Sequence, residues 1–253
     1  MKKHLLLLAA IITFSYVGAQ DNNAWLQSRV LKVDPADVEK FEAAVAKKTK
    51  MYNSKDGTPR WITFRILTGQ NANQYLRVQY ITSPEELDNI DNVGNAYWQK
   101  TVGQYHTSEA GRMWGRNNST SYFPENASRT NLRRIIYYKY KDSHEQDFWR
   151  FRWRVKNAMQ ESGYNSIMSV FACQSGCNGN VVQVRFHHDG WVGQSEDYGE
   201  PLQNMIEKYN ELYGENSYEQ DGNKFDDSLL PEGRSIRHHE YLPELSSPRR
   251  NNN

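Results

Sequence analysis

Apolar positions along this chain keep two periods, and the changes between them mark out its elements. Residues 25–33 alternate as a strand. Asp34-Pro35-Ala36-Asp37 then reads as a helix start, with an N-cap, a proline at the first position and an acid in the first turn. Val38, Phe41 and Val45 mark that helix's buried stripe. Residues 61–67 and 74–81 alternate again around a Thr68-Gly69-Gln70-Asn71 turn, and Ser83-Pro84-Glu85-Glu86 is a capping box for a second helix. Trp98, Val102, Tyr105 and Met113 follow at helical spacing, and a short strand at 119–123 closes the segment.

The same order then repeats. Residues 132–140 read as strand, 143–162 as a helix stopped by Gly163, and 167–173 and 181–187 as a strand pair. Leu202, Met205, Ile206, Tyr209, Leu212 and Tyr213 fall on one helix face that ends at Gly214. A polar insert, 214–233, precedes the last strand, 234–242; a loop of that length is expected to be a lid, a binding element or disorder. Both segments end alike, in Tyr122-Phe123-Pro124-Glu125 and Tyr241-Leu242-Pro243-Glu244. The pattern βαββαβ twice over predicts an internal duplication, with a unit over 20–126, a second over 127–245 and a disordered tail over 246–253. Each unit would form one sheet with helices on a single face, so the two bare faces can cover each other.

In this order of elements and in its Tyr-x-Pro-Glu endings the chain resembles the dimeric α+β barrel superfamily, which includes antibiotic-biosynthesis-monooxygenase-like, NIPSNAP-like and haem-handling barrels. The resemblance implies an α+β fold in which two ferredoxin-like units, here both from one chain, pack sheet against sheet. It admits a haem-associated or cofactor-independent oxygenase as one function. His106, expected on a helix near Trp98, and His187 or His239 are the groups that could act there as acid, base or axial ligand. No catalytic motif accompanies them, so no residue is assigned as catalytic.

Composition narrows the setting. Lys2 and Lys3, an apolar run at 5–12 and Val17-Gly18-Ala19 have the form of a secretory leader cleaved near Ala19, which predicts a periplasmic or secreted protein without membrane insertion. Taking those two lysines from the 31 basic residues leaves 29 against 30 acidic ones. Such a balance disfavours nucleic acid and anionic membrane surfaces as partners. The two cysteines, Cys173 and Cys177, flank a strand-to-strand turn, where an exported protein would hold them as a disulfide. Mean hydropathy is low, at −0.87, so much of the burial falls to aromatic side chains.

Alternation sorts the strand side chains onto two faces. If Ile62, Phe64 and Ile66, and Val182, Val184 and Phe186, meet the helices, the opposite faces carry Arg29, Arg65, Arg77, Gln79, Gln183, Arg185, His187, Arg237 and His239. Two such faces turned together would line an arginine-rich interior. Buried guanidinium groups need anionic partners, and the strands offer almost none beyond Glu240; either the acidic 214–233 insert folds over the opening or, in the reading adopted, this set binds a small anionic or carboxylate-bearing molecule. His187-His188-Asp189 and His239 lie on strands that a ferredoxin-like order separates by a third, and no metal site is expected there. Neither a cofactor nor a hydrolase, zinc-protease or nucleotide motif is indicated, haem entering only through the resemblance. Trp149 and Trp153, at i and i+4 beside the Phe148, Phe151 and Val155 stripe, form a second aromatic face that could receive a protein partner.

Overall fold

The computed structural model describes residues 24–82, 85–195 and 199–249. The leader, Ser83 and Pro84 of the capping box, and the last four residues of the tail lie outside them. The first half runs β1 (Trp25–Lys32), α1 (Val38–Tyr52), β2 (Arg60–Ile66), β3 (Tyr75–Ile81), α2 (Glu85–Asp88), α3 (Asn92–Thr101), β4 (Thr107–Ser108) and β5 (Arg112–Arg116). The second runs β6 (Leu132–Tyr140), α4 (Glu145–Glu161), β7 (Met168–Ser175), β8 (Asn180–His188), α5 (Val192–Ser195), α6 (Gly199–Tyr213), α7 (Ser217–Ser228) and β9 (Leu229–Tyr241).

The strand orders are β5-β1-β3-β2 and β9-β6-β8-β7, and edge pairs β2–β9 and β5–β7 join them into one closed antiparallel barrel. Phe64 faces Tyr241 and Ile66 faces His239 across one seam; Trp114 faces Cys173 across the other. The halves therefore meet as a continuous wall with no free edge, which removes the unpaired backbone groups that two stacked sheets would leave. The two-residue β4 continues the pairing along the far end of β1.

Helices cover the outside. Phe148, Phe151, Val155 and Met159 on α4 pack with Met205 and Tyr209 on α6 against Tyr138, Val182 and Val184. Phe41 and Val45 on α1 cover Leu31 and Tyr75, with Leu245 completing that layer. Each fully buried side chain of this size contributes about 1.5–3 kcal/mol.

Three expectations change. The fourth strand of the first half is Arg112–Arg116, so Met113 is a strand residue, and around 119–123 only Tyr122 pairs, in a single bridge to Met168. Pairing with β1 and β7 at once serves the backbone of 112–116 on both sides and turns Trp114 into the lumen. The polar insert is mostly α7, fixed to α4 by the carboxylate of Asp221, which accepts from Arg154 at 2.5 Å, Tyr209 at 2.8 Å and Arg150 at 3.2 Å. Its Phe225 enters the core. The start of the tail is held too: Ser246 and Ser247 bond the backbone of Thr63 and Trp61, and Arg249 reaches Arg129 and Asn131. Composition marked these positions as polar but could not show that β2 offers them a backbone to bind.

Candidate functional site

The lumen has two unlike sides. From the first half, Leu26, Val30, Ile62, Phe64, Leu76 and Val78 point inward, with Trp114. The second half supplies polar groups. Antiparallel partners share a face, so pairing places His239, Arg133 and His187 in one row across β9, β6 and β8, then Arg237, Ile135 and Arg185 in the next, then Ser235, Tyr137 and Gln183.

Three guanidinium groups are thus buried in a largely apolar space. Arg133 is 4% and Arg185 3% exposed. Arg133 lies over the Phe64 ring at 3.4 Å, Arg185 over Phe171 at 4.4 Å and Arg237 over Tyr137 at 4.7 Å, all within cation–π reach. Arg185 donates to Gln183 at 3.1 Å and Arg237 to Gln70 at 2.7 Å. Tyr80 of β3, paired with Arg60 and Leu26, projects into the same lumen and lines the cavity with Arg133 and Arg185. Arg133 Nε and Nη2 have no partner. Among the described residues no carboxylate pairs with any of the three. Burial, then the nearby Arg185, draws the Arg133 guanidinium down to about 9, which still leaves it charged at neutral pH.

The structure brings together Gln183, Arg185, His187, Arg237 and His239. It does not bring Arg29, Arg65 or Arg77 to them: these lie on the outer face of the first half, as does Gln79 by its register, although Gln79 is among the residues that line the cavity described below. Arg77 is buried beneath α1 and α3, donating to Thr63 Oγ1 at 2.6 Å, Leu245 O at 3.1 Å and Thr49 Oγ1 at 3.2 Å. Arg65 pairs with Glu42 of α1 at 2.5 Å. Arg29 and Gln79 share this face through their pairing with Arg77 and Gln27. The inversion has a simple cause. Both faces of a closed, helix-covered strand are buried, so alternation separates two faces without saying which meets the helices. Arg133 and Tyr80, which sequence reading missed, were legible only as partners: Arg133 sits between two inward histidines once the register is known.

Cations and aromatic walls lead to an opening. A cavity of about 2090 Å³ opens at the barrel end formed by the start of β2 and the ends of β3 and β8. Arg133, Arg185, His187 and Tyr80 line its inner part with Ile62, Phe64 and Phe171, and Arg60, Arg116, Arg129 and Arg249 lie nearer the mouth. Glu86, Asp88 and Asp91 stand on the outer rim. Gln183, His239 and Arg237 lie deeper, away from this lining.

No family model matches the chain, and no curated protein sequence matches it. Solved structures do. A protein from Lactobacillus acidophilus NCFM with a provisional monooxygenase assignment has a TM-score of 0.53 at 11% identity, covering 89% of this chain and 96% of its own. An anthrone oxidase-like protein scores 0.53 at 10% identity, over 88% of this chain and 92% of that one. Chlorite dismutase from Candidatus Nitrospira defluvii, in complex with imidazole, scores 0.53 at 9% identity, over 89% and 94%. The chain has the α+β barrel fold. At such identities the likeness carries fold alone, and the chemistry has to be read from the residues.

The histidines divide by place. His187 Nδ1 meets the Thr130 carbonyl at 3.2 Å, and burial, then Arg133, pulls the imidazole down to about 4, so it is neutral at ordinary pH. A neutral ring whose Nδ1–H donates to a carbonyl keeps Nε2 as an acceptor toward the cavity. His239 is wholly buried, both ring nitrogens lack partners, and burial and Arg133 hold it well below its ordinary value. His106 follows a short 3-10 turn rather than sitting on a helix, and packs on the outer face, 5.5 Å from Trp98 and 5.9 Å from Phe41. β6 separates the strands of His187 and His239, and among the described residues no three His, Cys, Asp or Glu side chains converge as metal ligands. Cys173 and Cys177 form a disulfide. Trp149 is tied inward by its indole N–H to Tyr140 at 3.3 Å, whereas Trp153 is 45% exposed.

Proposed function

We propose that this protein binds a small anionic, carboxylate-bearing ligand in the lumen cavity, gripped by Arg133 and Arg185 with His187 and Tyr80 beside it. One observation carries the reading: two buried guanidinium groups face a cavity without a carboxylate partner, and Arg133 keeps two donors unused. An uncompensated buried charge is costly, and a planar anion matching the guanidinium fork would offset that cost. The apolar wall of Ile62, Phe64 and Phe171 favours a ligand with a hydrophobic or aromatic body. Gln183 positions Arg185, and His239 and Arg237 form the floor behind them. Titration calorimetry with benzoate and longer carboxylates against their primary amides tests this. Carboxylates should bind and amides should not, with Arg185→Gln abolishing the difference; equal binding of both would remove the claim.

A second reading draws on His187. Its fixed tautomer, neutral ring and place on the cavity wall fit an axial ligand to haem, with Arg133, Arg185 and Arg129 available to haem carboxylates. Bound haem would supply a redox-active iron, and the function would then be that of an oxygenase. Added haem would give a sharp Soret band lost in His187→Ala, whereas an unchanged free-haem spectrum excludes it.

We further infer export, from the form of the first 19 residues and from a disulfide that an oxidising compartment preserves. Tandem duplication is likewise inferred, on the matching strand orders of the two halves.

A further inference from the structure

The cavity carries cations at two depths with an apolar wall between them. Arg60, Ile62 and Phe64 alternate onto the inner face of β2 and all line the cavity. At a rise of about 3.3 Å per residue, Arg60 at the mouth stands about 13 Å along the strand from Phe64. Arg133 lies over that Phe64 ring at 3.4 Å, so one guanidinium marks each end of this wall. A second line of contacts joins the same two depths. Arg249 lies over the Tyr241 ring at 4.5 Å, and Tyr241 is 5.9 Å from Phe64.

The mouth cation on the tail is held in place. Arg249 donates to the Arg129 carbonyl at 3.1 Å and to Asn131 Oδ1 at 2.9 Å, and Ser246 and Ser247 tie the chain before it to β2. Two of its five N–H groups are used, which leaves three for a further acceptor. Among the described residues neither Arg129 nor Arg249 pairs with a carboxylate. The rim acids serve their own turns: Glu86 accepts from the Thr82 N–H at 3.1 Å and Asp91 from the Gly94 N–H at 2.8 Å.

Deepening the ligand reading above, and resting on it, we propose that the ligand is an elongated dicarboxylate. One carboxylate meets Arg133 and Arg185, the apolar body lies along Ile62, Phe64 and Tyr241, and the second carboxylate meets Arg129 and Arg249 at the mouth. A ligand with a single carboxylate would bring its apolar end against the mouth guanidiniums and strip water from them with nothing in return. A second carboxylate replaces that water with a matched acceptor. Arg129 and Arg249 are exposed, so each such pair adds little and is screened by salt, unlike the buried pair below. The inner site therefore carries most of the affinity, and the mouth selects which acids are retained.

Calorimetry with three acids tests this: benzoate, biphenyl-4,4′-dicarboxylate and the monoamide of that diacid, which keeps its shape and loses one charge. The diacid should bind about tenfold more tightly than its monoamide at low salt, as two exposed ion pairs together would give. That ratio should shrink as salt is added and fall toward one in the double variant Arg129→Gln with Arg249→Gln. A ratio near one in the wild type overturns the inference, as does a ratio that survives in the double variant; benzoate binding in either case leaves the ligand reading standing. Failure of all three acids to bind overturns the ligand reading, and this inference with it. If the double variant does not fold, the salt series decides: a preference for the diacid that salt leaves unchanged contradicts the proposal.

Discussion

Replacing Arg133 by methionine should make the protein more stable while abolishing ligand binding. Arg133 is 4% exposed, and its Nε and Nη2 have no partner. Each buried donor left unmade costs about 1–3 kcal/mol, so their removal relieves about 2 kcal/mol at the low end. Against this stands the contact with Phe64, contributing about 1 kcal/mol. Relief of the charge's own desolvation, with a methionine body filling the same space, tips the balance; exchanges of buried charges for apolar groups gain about 1–4 kcal/mol. A net gain of about 1–2 kcal/mol is expected, or roughly 2–8 °C in Tm for a chain of this size. Urea and thermal unfolding of the two proteins measure it. A loss of 1 kcal/mol or more would refute the reasoning, because it would mean that Arg133 is held by structural partners and is not kept for a ligand.

Asp221→Asn should destabilise by about 2–3 kcal/mol in urea unfolding, since Tyr209 and two arginines lose a charged acceptor. Burial opposes ionisation of Asp221, but Tyr209 and Arg154 outweigh it and hold its carboxyl below the ordinary range. Its contribution is therefore present above the unfolded carboxylate pKa and lost as pH falls through the folded one. His187 is depressed to about 4, so the unfolded chain binds its proton first: stability should fall between about pH 6.5 and 4, by up to about 3 kcal/mol. His187→Gln should flatten that part of the pH profile, and an unaltered profile would place the acid sensitivity elsewhere. Reducing the Cys173–Cys177 bridge, which closes a short loop, should cost about 2 kcal/mol or less in unfolding free energy measured with and without reductant.

The fold was largely legible in the sequence, and the site only in part. Strands, helices and their order showed because one face of each was apolar; the Phe148, Phe151 and Val155 stripe on α4 packs as its spacing requires. Closure into a barrel is what alternation could not convey. It makes the lumen a second core, and that is why Ile62 and Phe64 turned inward while Arg77 and Arg65 turned toward α1. In the second half the apolar face does meet the helices, so Gln183, Arg185, His187, Arg237 and His239 were placed together from sequence. Arg133 and Tyr80 needed the register, because their importance lies in which strands they sit between. The 112–116 strand was hidden for a related reason: Arg112, Gly115 and Arg116 have little strand character, and pairing on both sides supplies what propensity lacks.

The central claim is that cations inside this barrel await an anion, and a crystal soaked with 4-bromobenzoate tests it most directly, since bromine's anomalous signal locates the ring without prior phasing bias. The account predicts a peak in the lumen against Phe64 and Phe171, with the carboxylate between Arg133 and Arg185, and no such peak in Arg133→Met. Bromine found only on the outer surface, or beside Arg29 and Arg77, would contradict it.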